Sequence, residues 1–88
     1  MSLSAAVKSA VWDELADEGK GYPVTGQEVM STDYNYDDTS IRQFLLGVAQ
    51  RLKADTPSLT FPWATLDTSA CLSDTVSTLC GYIASVTS

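Results

Sequence analysis

The chain has no histidine, only two cysteines, five basic side chains against eleven acidic ones, and no long apolar run. Each scarcity excludes something. Without histidine the commonest general base and the commonest zinc ligand are missing, so His-dependent triads and zinc fingers are ruled out. Two cysteines cannot complete a closed tetrahedral zinc site without carboxylates, and no metal centre is expected. The shortage of basic residues leaves a net charge of −6 and a pI near 4.1. That balance repels phosphate backbones, so nucleic acid is a poor partner and a basic protein surface a better one. No segment approaches the roughly 20 apolar residues of a membrane span, and no membrane role is expected. The start, Met1-Ser2-Leu3-Ser4 with Lys8 soon after, lacks a basic n-region, so neither a signal peptide nor an anchor is expected there.

What is present reads as one small domain over residues 1–88, with 44% hydrophobic residues. A chain of this size buries roughly 60–65% of its unfolded surface, enough for one modest core but not for a core plus an enclosed active site fed by several loops. A self-contained enzyme is therefore not expected.

Helical periodicity dominates. From Ser4 to Glu18, Val7, Val11 and Leu15 recur every four positions, widened by Leu3, Ala6, Ala10 and Trp12, until Gly19 and Gly21 stop the helix. Asp13, Glu14, Asp17 and Glu18 crowd its last turns, where they oppose the helix dipole and are expected to form a solvated acidic face. Residues 20 to 38 are rich in turn formers and predict a long connection. Within it, Thr25-Gly26-Gln27-Glu28 fits a capping box, so a short helical turn at Val29 and Met30 is expected to pin the loop to the core. A second helix is predicted from about Ser40 to Ala54, with Ile41, Phe44, Leu45, Val48, Ala49 and Leu52 on one face; Asp37, Asp38, Thr39 and Ser40 are all good capping types at its start, and Ser40 with Gln43 fits a capping box. Pro57 and Pro62 then bracket an apolar connection through Leu59, Phe61, Trp63 and Leu66. The last helix carries Leu72, Val76, Leu79, Cys80 and Ile83, with Ser73 as its cap.

The sum is an all-α fold, a small three-to-four-helix bundle with a long loop between the first and second helices, expected to be a monomer. Read within one helix, Cys71 and Cys80 fall on opposite faces about 13 Å apart, so they are expected not to bridge and to serve as small buried residues of a reduced, cytoplasmic protein. Trp12 and Trp63 are expected at the core or its edge. Residues 1–38 hold the whole net charge of −6, whereas residues 39–88 carry three charges of each sign.

Two stretches carry a resemblance. The first is Asp37-Asp38-Thr39-Ser40-Ile41, followed by Phe44, Leu45, Leu46, Val48 and Ala49. The second is Asp74-Thr75-Val76-Ser77-Thr78-Leu79-Cys80-Gly81-Tyr82-Ile83. With the polar-then-apolar Gln27-Glu28-Val29-Met30 in the long loop, the order of these elements resembles the acyl carrier proteins and related phosphopantetheine-attachment carrier domains. The first stretch is similar to the family's Asp-Ser-Leu motif and the apolar helix after it, the second to its last helix. The sequence departs from the family in having Thr39 where Asp directly precedes the Ser, Asn35 and Tyr36 in place of Leu-Gly, and a second helix that is basic through Arg42, Arg51 and Lys53.

The resemblance implies that Ser40 carries 4′-phosphopantetheine, transferred from coenzyme A by a separate phosphopantetheinyl transferase, with Thr39 as the register alternative and Asp38 as the acidic neighbour. It implies a non-catalytic carrier of acyl or aminoacyl thioesters for fatty-acid, polyketide or nonribosomal peptide assembly, whose partners are that transferase and thioester-loading or condensing enzymes. A phosphodiester suits a hydroxyl at a helix N-terminus, where free N–H groups meet the anion. The competing reading makes Ser40 a plain helix cap and the chain an unmodified acidic interaction module, an adaptor, inhibitor or degenerate carrier whose first helix and loop engage a basic protein. Tyr34 and Tyr36 either contact a pantetheine arm or serve packing and partner contacts.

Overall fold

A computed structural model describes residues 2–22 and 25–88. Among the described residues the regular secondary structure is all helical apart from one isolated bridge. Helix α1 spans Leu3–Asp17, and the Ser2 hydroxyl caps it by accepting from the Ala5 N–H at 3.2 Å. Its end is a Schellman turn: Gly19 takes a φ of 82°, its N–H donates to Ala16, and the Lys20 N–H reaches Leu15 at 2.9 Å. Sequence and structure agree on this stop, because only a residue without Cβ adopts that conformation without strain.

The long connection is stitched down more firmly than its composition suggests. A single helical turn, α2, Met30–Asp33, buries Met30 completely. The expected pinning of the loop is present, but its cap differs. The Glu28 carboxylate does reach back to the Thr25 and Gly26 N–H groups, yet the Thr25 hydroxyl takes the Gln27 N–H and no helix starts until Met30. Asp33 instead accepts from the Val29 N–H at 2.6 Å.

Helix α3 spans Asp38–Asp55 and buries Ile41, Phe44, Leu45, Val48, Ala49 and Leu52, the stripe predicted by spacing. Of the four capping types before it, Asp37 is the N-cap; the helix starts two residues ahead of Ser40, and the Ser40–Gln43 box is replaced by an Asp37–Ser40 box. Beyond α3, Phe61 and Leu66 lie buried in the connection, which includes a single 3-10 turn at Trp63–Thr65.

The last helix is also two. Helix α4, Thr68–Ser73, is capped by Asp67, and α5, Val76–Val86, is capped by Thr75, whose hydroxyl accepts from the Thr78 N–H at 3.2 Å. Ser73 is therefore the end of α4 and not a cap. Asp74 and Thr75 are held extended because the long loop pairs with them: Val29 bridges Thr75, and the Val76 N–H donates to the Glu28 carbonyl at 2.9 Å. Cys71 and Cys80 consequently sit on different helices, both as free thiols, the first buried and the second half-buried. Burial pushes each thiol up to about 11.

One core unites these elements. Helix α1 packs on α3 and α5, and α3 packs on α4 and the 3-10 turn. The largest fully buried side chains, among them Phe44, Leu15, Met30 and Ile83, are essentially without solvent contact, each contributing about 1.5–3 kcal/mol. No described helix is long and apolar enough to cross a membrane.

Candidate functional site

The residues singled out by sequence meet in the first turn of α3. Tyr36 delivers the chain to it. Asn35 adopts a φ of 59°, a left-handed conformation that Asn tolerates better than most residues, and the turn drops Tyr36 into the core, 5% exposed, with its ring 5.4 Å from Phe44. The Tyr36 hydroxyl donates to Glu18 at 2.6 Å, and Lys20 lies over its ring. Tyr36 is thereby committed to packing. Tyr34 is half-buried against the core.

At the turn itself the Asp37 carboxylate accepts from the Ser40 N–H at 2.8 Å, while the Ser40 hydroxyl accepts from the Asp37 N–H at 2.9 Å and donates to the Asp37 carboxylate at 3.0 Å. The backbone N–H of Ser40, then its hydroxyl, hold the Asp37 carboxyl below its ordinary value. Ser40 is half-buried; Asp38 and Thr39 are exposed. Thr39 has no hydrogen bond to its hydroxyl among the described residues. It borders a cavity of about 410 Å³ shared with Asp38, Arg42, Gln43, Leu46 and Trp63, which Ser40 does not line.

This turn has some of the features a phosphodiester needs. The leading N–H groups of an 18-residue helix and its positive end favour an anion. On Ser40 a substituent replaces the proton that bonds Asp37 and sets a second anion beside that carboxylate. On Thr39 it disturbs neither bond. Either position leaves the N–H to carboxylate half of the box intact.

Sequence reasoning missed two features. Trp63 was placed at the core edge, where it is, but it also forms one wall of the cavity. The acids of α1 are not simply solvated: Glu14 and Asp17 both bind Arg51 of α3, the Glu14 contact at 2.9 Å, and Glu18 holds Tyr36. The Arg51 pairings join residues 37 and 34 positions apart, beyond the reach of any local pattern.

Comparison of the chain with family models, curated proteins and solved structures finds no match.

Proposed function

We propose that the chain is a carrier-type helical domain that holds an acyl or aminoacyl cargo as a thioester on a 4′-phosphopantetheine arm attached to the first turn of α3. Ser40 is the attachment hydroxyl in this reading, and Thr39 is the alternative one position earlier. The observation that supports it is the convergence of Asp37, Asp38, Thr39 and Ser40 on the N-terminal turn of the longest helix, after a connection pinned in place by Met30 and Tyr36. When bound, the arm supplies the thiol that forms the thioester. The chain's own part is to hold the phosphodiester at the helix N-terminus, keep the turn rigid through Asp37, and present α3 to partner enzymes, namely the transferase and thioester-loading or condensing enzymes of fatty-acid, polyketide or nonribosomal peptide assembly. A protein of this kind needs no catalytic residue of its own and works in the cytoplasm beside its coenzyme A supply.

A second reading is favoured by one specific contact. The Ser40 hydroxyl is already used on both sides by Asp37, as in any capped helix, and an unmodified interaction module has the same turn. Intact-mass measurement after exposure to coenzyme A and a promiscuous transferase separates the two. A single pantetheine adduct supports the carrier, and its absence from folded protein supports the module.

A further inference from the structure

The outward strip of α3 differs from its core stripe. Arg42, Leu46 and Lys53 follow at steps of four and seven, so they fall within about 40° of one another around the axis, beside buried Ala49, and Arg42 and Lys53 stand about 16 Å apart along it. Leu46 is only half-buried, whereas Ile41, Phe44, Leu45, Val48 and Leu52 are buried. Beside the strip lie two cavities of about 410 and 380 Å³ that share Leu46 and Trp63. Leu59, Phe61 and Lys53 also line the second. Together they make one groove between α3 and the connection, apolar in the middle with a cation at each end.

Both cations are available. Neither makes an ion pair among the described residues, where Arg51 alone does so. The Arg42 guanidinium, on the cavity lining, is steadied by donating to the Ala64 carbonyl at 2.5 Å, which leaves its other N–H groups for a ligand. Asp38 is the one acid on the groove's lining, beyond the Arg42 end. The remainder of the chain is acidic, with the net −6 confined to residues 1–38. The groove face therefore opposes the overall charge, and charge complementarity selects an acidic occupant.

We propose that this groove docks an amphipathic helical segment of another protein, apolar on one face and carrying acidic residues about three turns apart. Two cations at that separation with apolar surface between them match a segment charged at both ends; a single-headed aliphatic acid satisfies only one. A second copy of this chain is a poorer fit, because Glu14 and Asp17 are already bound to Arg51 and Glu18 to Tyr36. Trp63, half-buried and common to both cavities, is the anchor, the residue type that carries most energy in such interfaces. The inference rests on the groove and its charges, independently of any modification at the start of α3.

The test uses two labelled synthetic helices of about four turns, each with leucines on one face, one bearing Glu at two positions eleven residues apart and the other Lys at the same positions. Binding to the full chain is followed by fluorescence anisotropy. The Glu peptide is expected to bind and the Lys peptide not. Lys53→Glu, on an exposed residue that leaves folding untouched, weakens the Glu peptide several-fold, and Arg42→Glu with Lys53→Glu weakens it by roughly tenfold or more while admitting the Lys peptide. Trp63→Ala weakens both pairings. Equal binding of the two peptides, no binding of the Glu peptide up to millimolar concentration, or a response to Arg42→Glu with Lys53→Glu silent, the pattern of a single-headed ligand, overturns the proposal.

Discussion

Gly47 stands in the interior of α3, a place where alanine is ordinarily favoured by about 1 kcal/mol. Here the space is taken. A β-carbon at position 47 meets the Glu14 carboxylate, lying 2.7 Å from Oε1 and closer still to Cδ and Oε2. Glu14 cannot swing aside freely, because Oε1 accepts from Arg51 Nε at 2.9 Å and the two side chains are only 15% and 31% exposed. Gly47→Ala must therefore loosen that pair. A charge-assisted hydrogen bond contributes about 1.5–3 kcal/mol, reduced to about 1–2 by partial solvent screening, and about 0.5–1 kcal/mol of rotamer strain adds to the loss. Set against the propensity gain, the expected net destabilisation is about 1 kcal/mol. In a Glu14→Ala background nothing blocks the new methyl, and the same substitution is expected to stabilise by about 0.5–1 kcal/mol. The coupling between the two sites is then about 2 kcal/mol, readable from urea unfolding followed by far-UV circular dichroism. A stabilising Gly47→Ala in the unmodified background, or a coupling below about 0.5 kcal/mol, refutes the claim that the Glu14–Arg51 pair locks α1 against α3.

Other predictions concern the same framework. Asp37→Asn is expected to lower the melting temperature at pH 7 and to flatten the acid side of the stability curve: the folded carboxyl sits below its ordinary value, so its contribution is present above the unfolded pKa and is lost as pH falls through the folded one. Ser40→Ala removes the hydroxyl half of the box and should cost about 0.5–1 kcal/mol in urea unfolding, with the fold intact; an unfolded variant contradicts its place in the turn. Glu18 behaves oppositely to Asp37. Burial, then the Glu14 hydrogen bond, raise its carboxyl, so its contribution is full below the unfolded pKa and fades as pH climbs through the folded one, and Glu18→Gln should flatten the decline in stability as pH rises above the unfolded pKa. With both thiols pushed up to about 11, a disulfide reagent at pH 7.5 should react slowly with the folded protein, at half-buried Cys80 before buried Cys71, and at once with both on unfolding. Fast reaction of Cys71 in the native state contradicts its burial.

Much of this fold is legible in the sequence where the signal is local and repeated. The spacing of Ile41, Phe44, Leu45, Val48 and Leu52 needs no partner to announce a buried helix face, and Gly19 marks the end of α1 by its own conformational freedom. The boundary of α3 is a different problem. Asp37, Asp38, Thr39 and Ser40 all cap helices well, so local chemistry does not choose among them; burial of Tyr36 on one side and Ile41 on the other does, and it places the cap at Asp37. The break between α4 and α5 is hidden because Val76, Leu79 and Ile83 keep helical period from Leu72 across it. It is imposed from a distance, by the Glu28 carbonyl and Val29 taking up the backbone of Val76 and Thr75. The acids of α1 look solvated in one dimension for the same reason that Arg51 looks unpaired: their partners lie on another helix. Of the candidate site, the sequence brings Asp38, Thr39 and Ser40 to one turn, but the groove beside it depends on Trp63 folding back on α3.

The most direct test of the carrier reading is intact-mass spectrometry of the chain after incubation with coenzyme A, Mg²⁺ and a promiscuous phosphopantetheinyl transferase, run beside Ser40→Ala and Thr39→Val. The account predicts one pantetheine adduct that is lost in Ser40→Ala; loss in Thr39→Val alone moves the attachment to the neighbouring hydroxyl and keeps the carrier. Folded protein that gains no adduct from several transferases contradicts it and leaves Ser40 as a helix-capping residue of an interaction module.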